Sequence, residues 1–108
     1  MDSATEELIR TVSQLAELLE GDGDRRWSSW IRRVESRLKK SDYSGLGYLL
    51  SAYGGMGSFN DLVLGQSQNA GKYAWKNGHV ELNERFDALR SRAWDLAHHI
   101  QKQRDARA

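Results

Sequence analysis

With 108 residues the chain has room for one hydrophobic core, since roughly two-thirds of the unfolded surface is available for burial at this size. The absence of cysteine excludes disulfides, thiolate catalysis and cysteine-based zinc sites. A net charge of +1 and 39% hydrophobic residues describe a modest core, to which four Trp, four Tyr and two Phe bring the large buried side chains. The acidic opening Asp2-Ser3-Ala4-Thr5-Glu6-Glu7 has no basic region backed by an apolar run, and no stretch approaches the ~18 consecutive apolar residues of a membrane span. A cytoplasmic protein without a membrane segment is expected.

Ser3-Ala4-Thr5-Glu6 fits a capping box and predicts that a first helix starts there. Leu8, Val12, Leu15 and Leu19 recur at helical spacing, Ile9, Ala16 and Leu18 widen the stripe, and Gly21 and Gly23 end it. Asp24 is the natural cap of a second helix. There Trp27, Trp30, Ile31, Val34 and Leu38 keep the same period and set Arg26, Arg33, Arg37 and Lys40 on another flank. Charge separates along these two elements. Seven acids face one base, Arg10, over residues 1–24, and seven bases face one acid, Glu35, over residues 25–40. Two antiparallel helices of opposite sign attract across their rims.

A third, shorter helix is expected after Ser41-Asp42, carried by Leu46, Leu49, Leu50 and Tyr53, with Gly45 and Gly47 marking close helix contact. Gly54-Gly55 terminates it. Ser58, with Asp61 three residues on, resembles a cap for one or two further helical turns through Phe59, Leu62, Val63 and Leu64. Residues 65–79 hold three glycines and no helical period, and read as one long glycine-rich loop. Asn77-Gly78 is a strong turn pair, compatible with a minor hairpin at 72–82 that joins Lys72–Trp75 to His79–Leu82. Leu82, Phe86, Leu89, Ala93, Leu96 and Ile100 form the cleanest stripe in the chain and predict a long last helix capped near Asn83. Trp94 lies at the edge of that stripe. The ends, 1–4 and 102–108, are polar and expected to fray. The fold class expected is all-α: one domain over 1–108, a compact bundle of about four helices with a short helical turn and one glycine-rich loop.

The candidates for chemistry are few. His98 and His99 are adjacent on a helix and point about 100° apart, so they cannot share a metal as an i, i+4 pair does, and His79 stands alone in a loop. No carboxylate pair is set up for acid–base work. Ser58 lacks the strand–turn–helix context of a nucleophile, and Gly54–Gly57 has no lysine after it to serve as a phosphate loop. No catalytic residue, metal or cofactor is therefore expected. Arg26, Arg33, Arg37 and Lys40, interleaved with Trp27 and Trp30, give an alternative reading in which the basic helix 25–40 binds nucleic acid. Against it stand the near-neutral total and a period that turns both tryptophans inward.

Gly54-Gly55-Met56-Gly57-Ser58-Phe59-Asn60-Asp61-Leu62, together with Asn83-Glu84-Arg85-Phe86-Asp87-Ala88-Leu89, resembles the signature of a family of small bacterial all-helical proteins with no assigned function. The similarity runs from about Trp27 to Leu96. It implies bacterial origin and fold, and no activity. At the level of size and class, such stand-alone domains resemble immunity proteins that occlude a toxin. The residues themselves name a surface for a protein partner: Asn60 and Asp61 beside the glycine turn, Tyr73 and Trp75 on the loop, Asn83 and Arg85 at the last helix. In the competing structural reading, Asn60 and Asn83 cap helices or tie the loop to the body. A homodimer through Trp94 is the simplest symmetric assembly.

Overall fold

The structure is a computed structural model that describes residues 2–107 apart from Gly55, Met56 and Ala70. In chain order it contains α1 (Ser3–Gly21), α2 (Arg25–Lys39), α3 (Ser44–Leu50), a 3₁₀ turn (Phe59–Asp61), β1 (Gln66–Asn69), β2 (Lys72–Trp75) and α4 (His79–Arg107). The fold is thus all-α but for one two-stranded ribbon. Its core is an apolar cluster drawn from all four helices, with Phe59 and Leu64 added from the segment between α3 and the ribbon. Among the described residues no helix is long and apolar enough to cross a membrane.

The cap of α1 is Asp2, whose carboxylate accepts the Thr5 N–H at 2.8 Å, so the helix starts at Ser3 itself, one residue earlier than a cap at Ser3 would set it and within the stretch 1–4 expected to fray. A carboxylate next to the helix N-terminus also gains from the macrodipole, which a hydroxyl does not. Asp24 caps α2 as expected, accepting from the Trp27 N–H at 2.9 Å. The two helices pack through their stripes, and their rims carry the expected charge pairing. Arg32 donates to both oxygens of Glu20, at 2.7 and 2.9 Å, and to Glu35 at 2.9 Å, while Lys39 reaches Glu35 at 3.3 Å. Burial raises the Glu35 carboxyl, but hydrogen bonds from Arg32, Ser13 and Lys39 outweigh it and hold the group below the ordinary Glu range.

Of the two glycines in α3, only Gly45 marks close contact. A Cβ there would stand 3.3 Å from both Arg37 Cβ and Leu38 Cγ, whereas Gly47 faces open space, so the expectation of contact at Gly47 is not met. The cap at Ser41-Asp42 takes a looser form: Asp42 accepts from Ser44 N–H at 3.0 Å, and Tyr43, the residue before the helix, makes no side-chain cap. After Ala52 the chain reverses, and Phe59 N–H donates to Ala52 C=O at 3.0 Å.

The turn predicted through Leu64 stops at Asp61, Leu62 is extended, and residues 62–65 lead to the ribbon without regular secondary structure. Ser58 is its cap, accepting from the Asn60 N–H at 3.2 Å, and Asp61 reaches back to the Gly57 N–H at 3.0 Å. The hairpin also differs from the pairing expected within 72–82. Lys72–Trp75 pairs with Gln66–Asn69 ahead of it, in antiparallel register from Gln66↔Trp75 to Asn69↔Lys72. Asn77-Gly78 instead makes the turn into α4, with Gly78 at φ +79° and Leu82 N–H donating to Gly78 C=O at 3.0 Å. Consequently α4 begins at His79, one turn before Asn83, and Asn83 is not its cap. The helix then continues through Arg107, beyond the point where its polar sequence suggests fraying. Arg104 lies 3.8 Å over the Tyr43 ring and links this end to the start of α3.

Gly65 joins this irregular segment to the ribbon at φ +82°, where a Cβ would stand 2.6 Å from His79 Cβ. Left-handed backbone and a steric clash coincide there. The Gly65→Ala variant is expected to lose about 2 kcal/mol or more of stability, read as a lower midpoint in urea melts. A second expectation follows from Glu35. A carboxyl held below its unfolded value contributes stability that is present above that value, near 4.5, and is lost as pH falls through the folded one. Stability should therefore decline on acidification below about pH 4.5, and less steeply in Glu35→Gln, as measured by thermal melts across pH.

Candidate functional site

The site is built where the segment between α3 and the ribbon is fastened to α4. Phe59 is the apolar fastening: its fully buried ring meets Trp27 at 5.2 Å and both Tyr53 and Phe86 at 5.5 Å, the last two edge-on. Edge-to-face contacts of this kind add about 0.5–1.5 kcal/mol each beyond area burial. Arg90 is the polar fastening. Its Nη1 donates to the carbonyls of Phe59 at 2.7 Å and Leu62 at 3.1 Å, its Nη2 pairs with Asp87, and its guanidinium lies 4.8 Å from the Phe86 ring centre. One side chain thus gives the Phe59 carbonyl, which also takes the Leu62 N–H at 3.3 Å, a second donor and gives the Leu62 carbonyl just past the turn a partner. Tyr53 completes the link by donating to the Arg90 carbonyl at 2.7 Å, and burial pushes its hydroxyl above the ordinary tyrosine range.

Asn83 holds the next residues. Its Oδ1 accepts from Leu64 N–H and its Nδ2 donates to Leu64 C=O, both at 2.8 Å, with a further bond to His79 C=O at 2.9 Å. At the far side Asp22 accepts from Gly65 N–H at 3.0 Å and from Lys76 Nζ at 3.1 Å. The ribbon projects from this frame with its second strand exposed, and Trp75 lies nearly parallel to the His79 ring, 18° apart with centres at 4.6 Å.

Besides a cleft of about 330 Å³ against Arg26 and Trp27 of α2, two open clefts border the fastened segment along α4. One, of about 340 Å³, is bordered by Asn60, Asp61, Val63, Trp75, Val80 and Asn83, with Glu84 and Asp87 on its α4 side. The other, of about 570 Å³, lies between Leu50, Tyr53 and Gly54 on one side and Ser91, Trp94, Asp95 and His98 on the other. Asn60 and Arg90 line both. Four of the six residues expected to form a partner surface, Asn60, Asp61, Trp75 and Asn83, therefore meet around one cleft. Tyr73 is exposed on the ribbon and Arg85 is exposed on α4, and neither borders it. Asn83 borders the cleft and ties the segment to α4, as the structural reading of that residue expects. Asn60 is exposed and caps no helix. Within the motif, Gly55 and Met56 lie outside the described residues.

Residues missed by sequence reasoning include Arg90, Tyr53, Asp22 and Lys76. Each acts across at least 28 positions of chain, a separation at which no local spacing carries a signal. Among the described residues no group of three or more His, Asp or Glu is placed to hold a metal.

The basic helix is less open to bases than its sequence suggests. Trp27 is buried, and Trp30 stacks on Tyr48 at 4.4 Å while its indole N–H donates to Tyr48 C=O at 3.1 Å. Arg37 lies over the Tyr48 ring at 4.4 Å, Arg33 reaches the Tyr48 hydroxyl at 3.5 Å, and Arg26 lies over Trp27. Lys40 is exposed at the helix end.

The arrangement defines a small helical domain with open clefts along α4 that aromatic and acidic side chains border. The chain belongs to the family described as a domain of unknown function (DUF6966), whose model matches residues 20–74, just over half of its length. The match includes the glycine-rich motif and nearly all of the ribbon, and stops before α4. No curated protein and no solved structure matches the chain.

Replacing Asn83 with Ala leaves the Leu64 N–H and C=O without their partners in a part-buried position. That change should cost about 1–3 kcal/mol, measured by chemical denaturation, although the helix itself tolerates Ala well.

Proposed function

We propose that this chain is a non-enzymatic protein-interaction module of a bacterial cytoplasmic protein, and that it acts as an immunity-type antagonist by occluding another protein. The observation that carries the reading is the exposure of large apolar side chains on one side of the molecule: Val63 at 48%, Trp75 at 52%, Val80 at 55% and Trp94 at 42%. Soluble proteins seldom leave such groups grouped around a cleft unless a partner covers them. Aromatic residues ringed by polar ones are also the composition of interface anchors. The immunity assignment rests on size and class alone.

The alternative is nucleic-acid binding by α2. It is supported by the cations Arg26, Arg33, Arg37 and Lys40, which make no ion pair among the described residues. The two readings use different faces, so one experiment separates them. Tagged protein purified from its source organism at low and high salt should retain a stoichiometric protein at high salt under the first reading. Nucleic acid released by salt would instead favour the second. Trp75→Ala should weaken retention of the protein partner at least about tenfold while changing stability by no more than about 0.5 kcal/mol, because the indole rests only on the exposed surface. Equal retention by this variant would count against the proposed face.

A further inference from the structure

The two clefts are parts of one groove. They share Asn60 and Arg90, and together they follow α4 from Val80 to His98, a rise of about 27 Å. That length suits about five turns of helix or some eight residues of extended chain, and far exceeds one small ligand. Each end carries a half-exposed indole set on a histidine: Trp75 on His79, with centres 4.6 Å apart, and Trp94 on His98, with centres 4.0 Å apart. Val63 and Val80 widen the apolar end near Trp75.

The charge between these anchors has one sign. Asp61, Glu84, Asp87 and Asp95 line the groove, against the single base Arg90. Arg90 and Asp87 pair with each other, and Arg90 is otherwise spent on the carbonyls of Phe59 and Leu62 with its side chain only 13% exposed, which leaves Asp61, Glu84 and Asp95 without an ion pair among the described residues. The groove is therefore acidic within a protein whose overall charge is +1.

Resting on the protein-binding reading, we propose that the groove takes a cationic, amphipathic segment of a partner protein. Its apolar side chains seat at Trp75 and Trp94, and its Lys or Arg side chains face Glu84 and Asp95. Charge complementarity selects a basic occupant, and the exposed indole faces suit cations as well as apolar groups. A second copy of the chain fits less well. Its basic surface is α2, and among the described residues no large apolar side chain is exposed on α2 to fill the anchor positions. Nucleic acid is disfavoured in this groove by the same carboxylates.

The test is selection of a random 15-residue phage-displayed peptide library on the immobilised full chain. Enriched peptides should interleave Lys or Arg with aliphatic or aromatic residues. As synthetic peptides they should bind the double variant Glu84→Lys/Asp95→Lys at least about tenfold more weakly, with its melting temperature unchanged. Trp75→Ala and Trp94→Ala should each weaken the same peptides. Selection of peptides without cationic bias, selection of none, or equal binding to the double variant would each overturn the proposal. A cellular partner held equally by wild type and by the double variant would also overturn it, while leaving the protein-binding reading in place.

Discussion

The face proposed to meet a partner depends on how one arginine fastens a segment that has almost no secondary structure of its own. Among the described residues of 51–65 the only regular element is one 3₁₀ turn, so the segment needs hydrogen-bond partners from outside itself to be held in place. Arg90 supplies two such bonds from a helix 28 or more positions away, beside the buried Phe59 ring. Hydrogen bonds from a charged donor contribute about 1.5–3 kcal/mol each, enough to hold an irregular strap in one place. With the strap fixed, Asn83 and Asp22 set the positions of Leu64 and Gly65, and the ribbon with Trp75 follows from there.

This division of labour gives the glycine-rich motif a physical meaning. Its middle, Ser58 to Asp61, is a self-capped turn whose purpose in the fold is to drive Phe59 into the core among Trp27, Tyr53 and Phe86. The motif is therefore scaffold at Phe59 and surface at Asn60 and Asp61, one residue on. Alternation between anchor and exposed polar group within a single turn is how a loop becomes both rigid and accessible. The family match over residues 20–74 covers this anchor and its α2 contacts, while the opposing wall of the groove comes from α4.

The helices were legible because apolar period and helix packing are local to each segment. Leu8–Leu19, Trp27–Leu38 and Phe86–Ile100 read as stripes and bury as stripes. Boundaries were less legible where two residues of equal capping chemistry compete. Asp2 takes the role expected of Ser3, and Asn83 resembles a cap yet spends its amide on Leu64. The ribbon was misread for a different reason. Gln66 to Gln68 and Lys72 to Trp75 have little burial to pattern them, so no hydrophobic alternation identifies the register, and the Asn77-Gly78 signal drew the pairing to the wrong partner. Asn60, Asp61, Trp75 and Asn83, four of the eleven residues that line the smaller α4 cleft, could be named from residue type and turn context. Arg90 and Tyr53 could not, since their roles exist only once α4 lies beside the strap.

The most direct measurement of this account is native-state hydrogen exchange on the full chain, resolved by residue. If the strap is held as described, the amides of Phe59, Leu64 and Gly65, which donate to Ala52, Asn83 and Asp22, should exchange as slowly as those at the centre of α1. The ribbon amides of residues 66–69 and 72–75 should exchange much faster. Rapid exchange at Leu64 and Gly65 alongside a protected helical core would contradict the account, because the groove would then have no fixed wall to present to a partner.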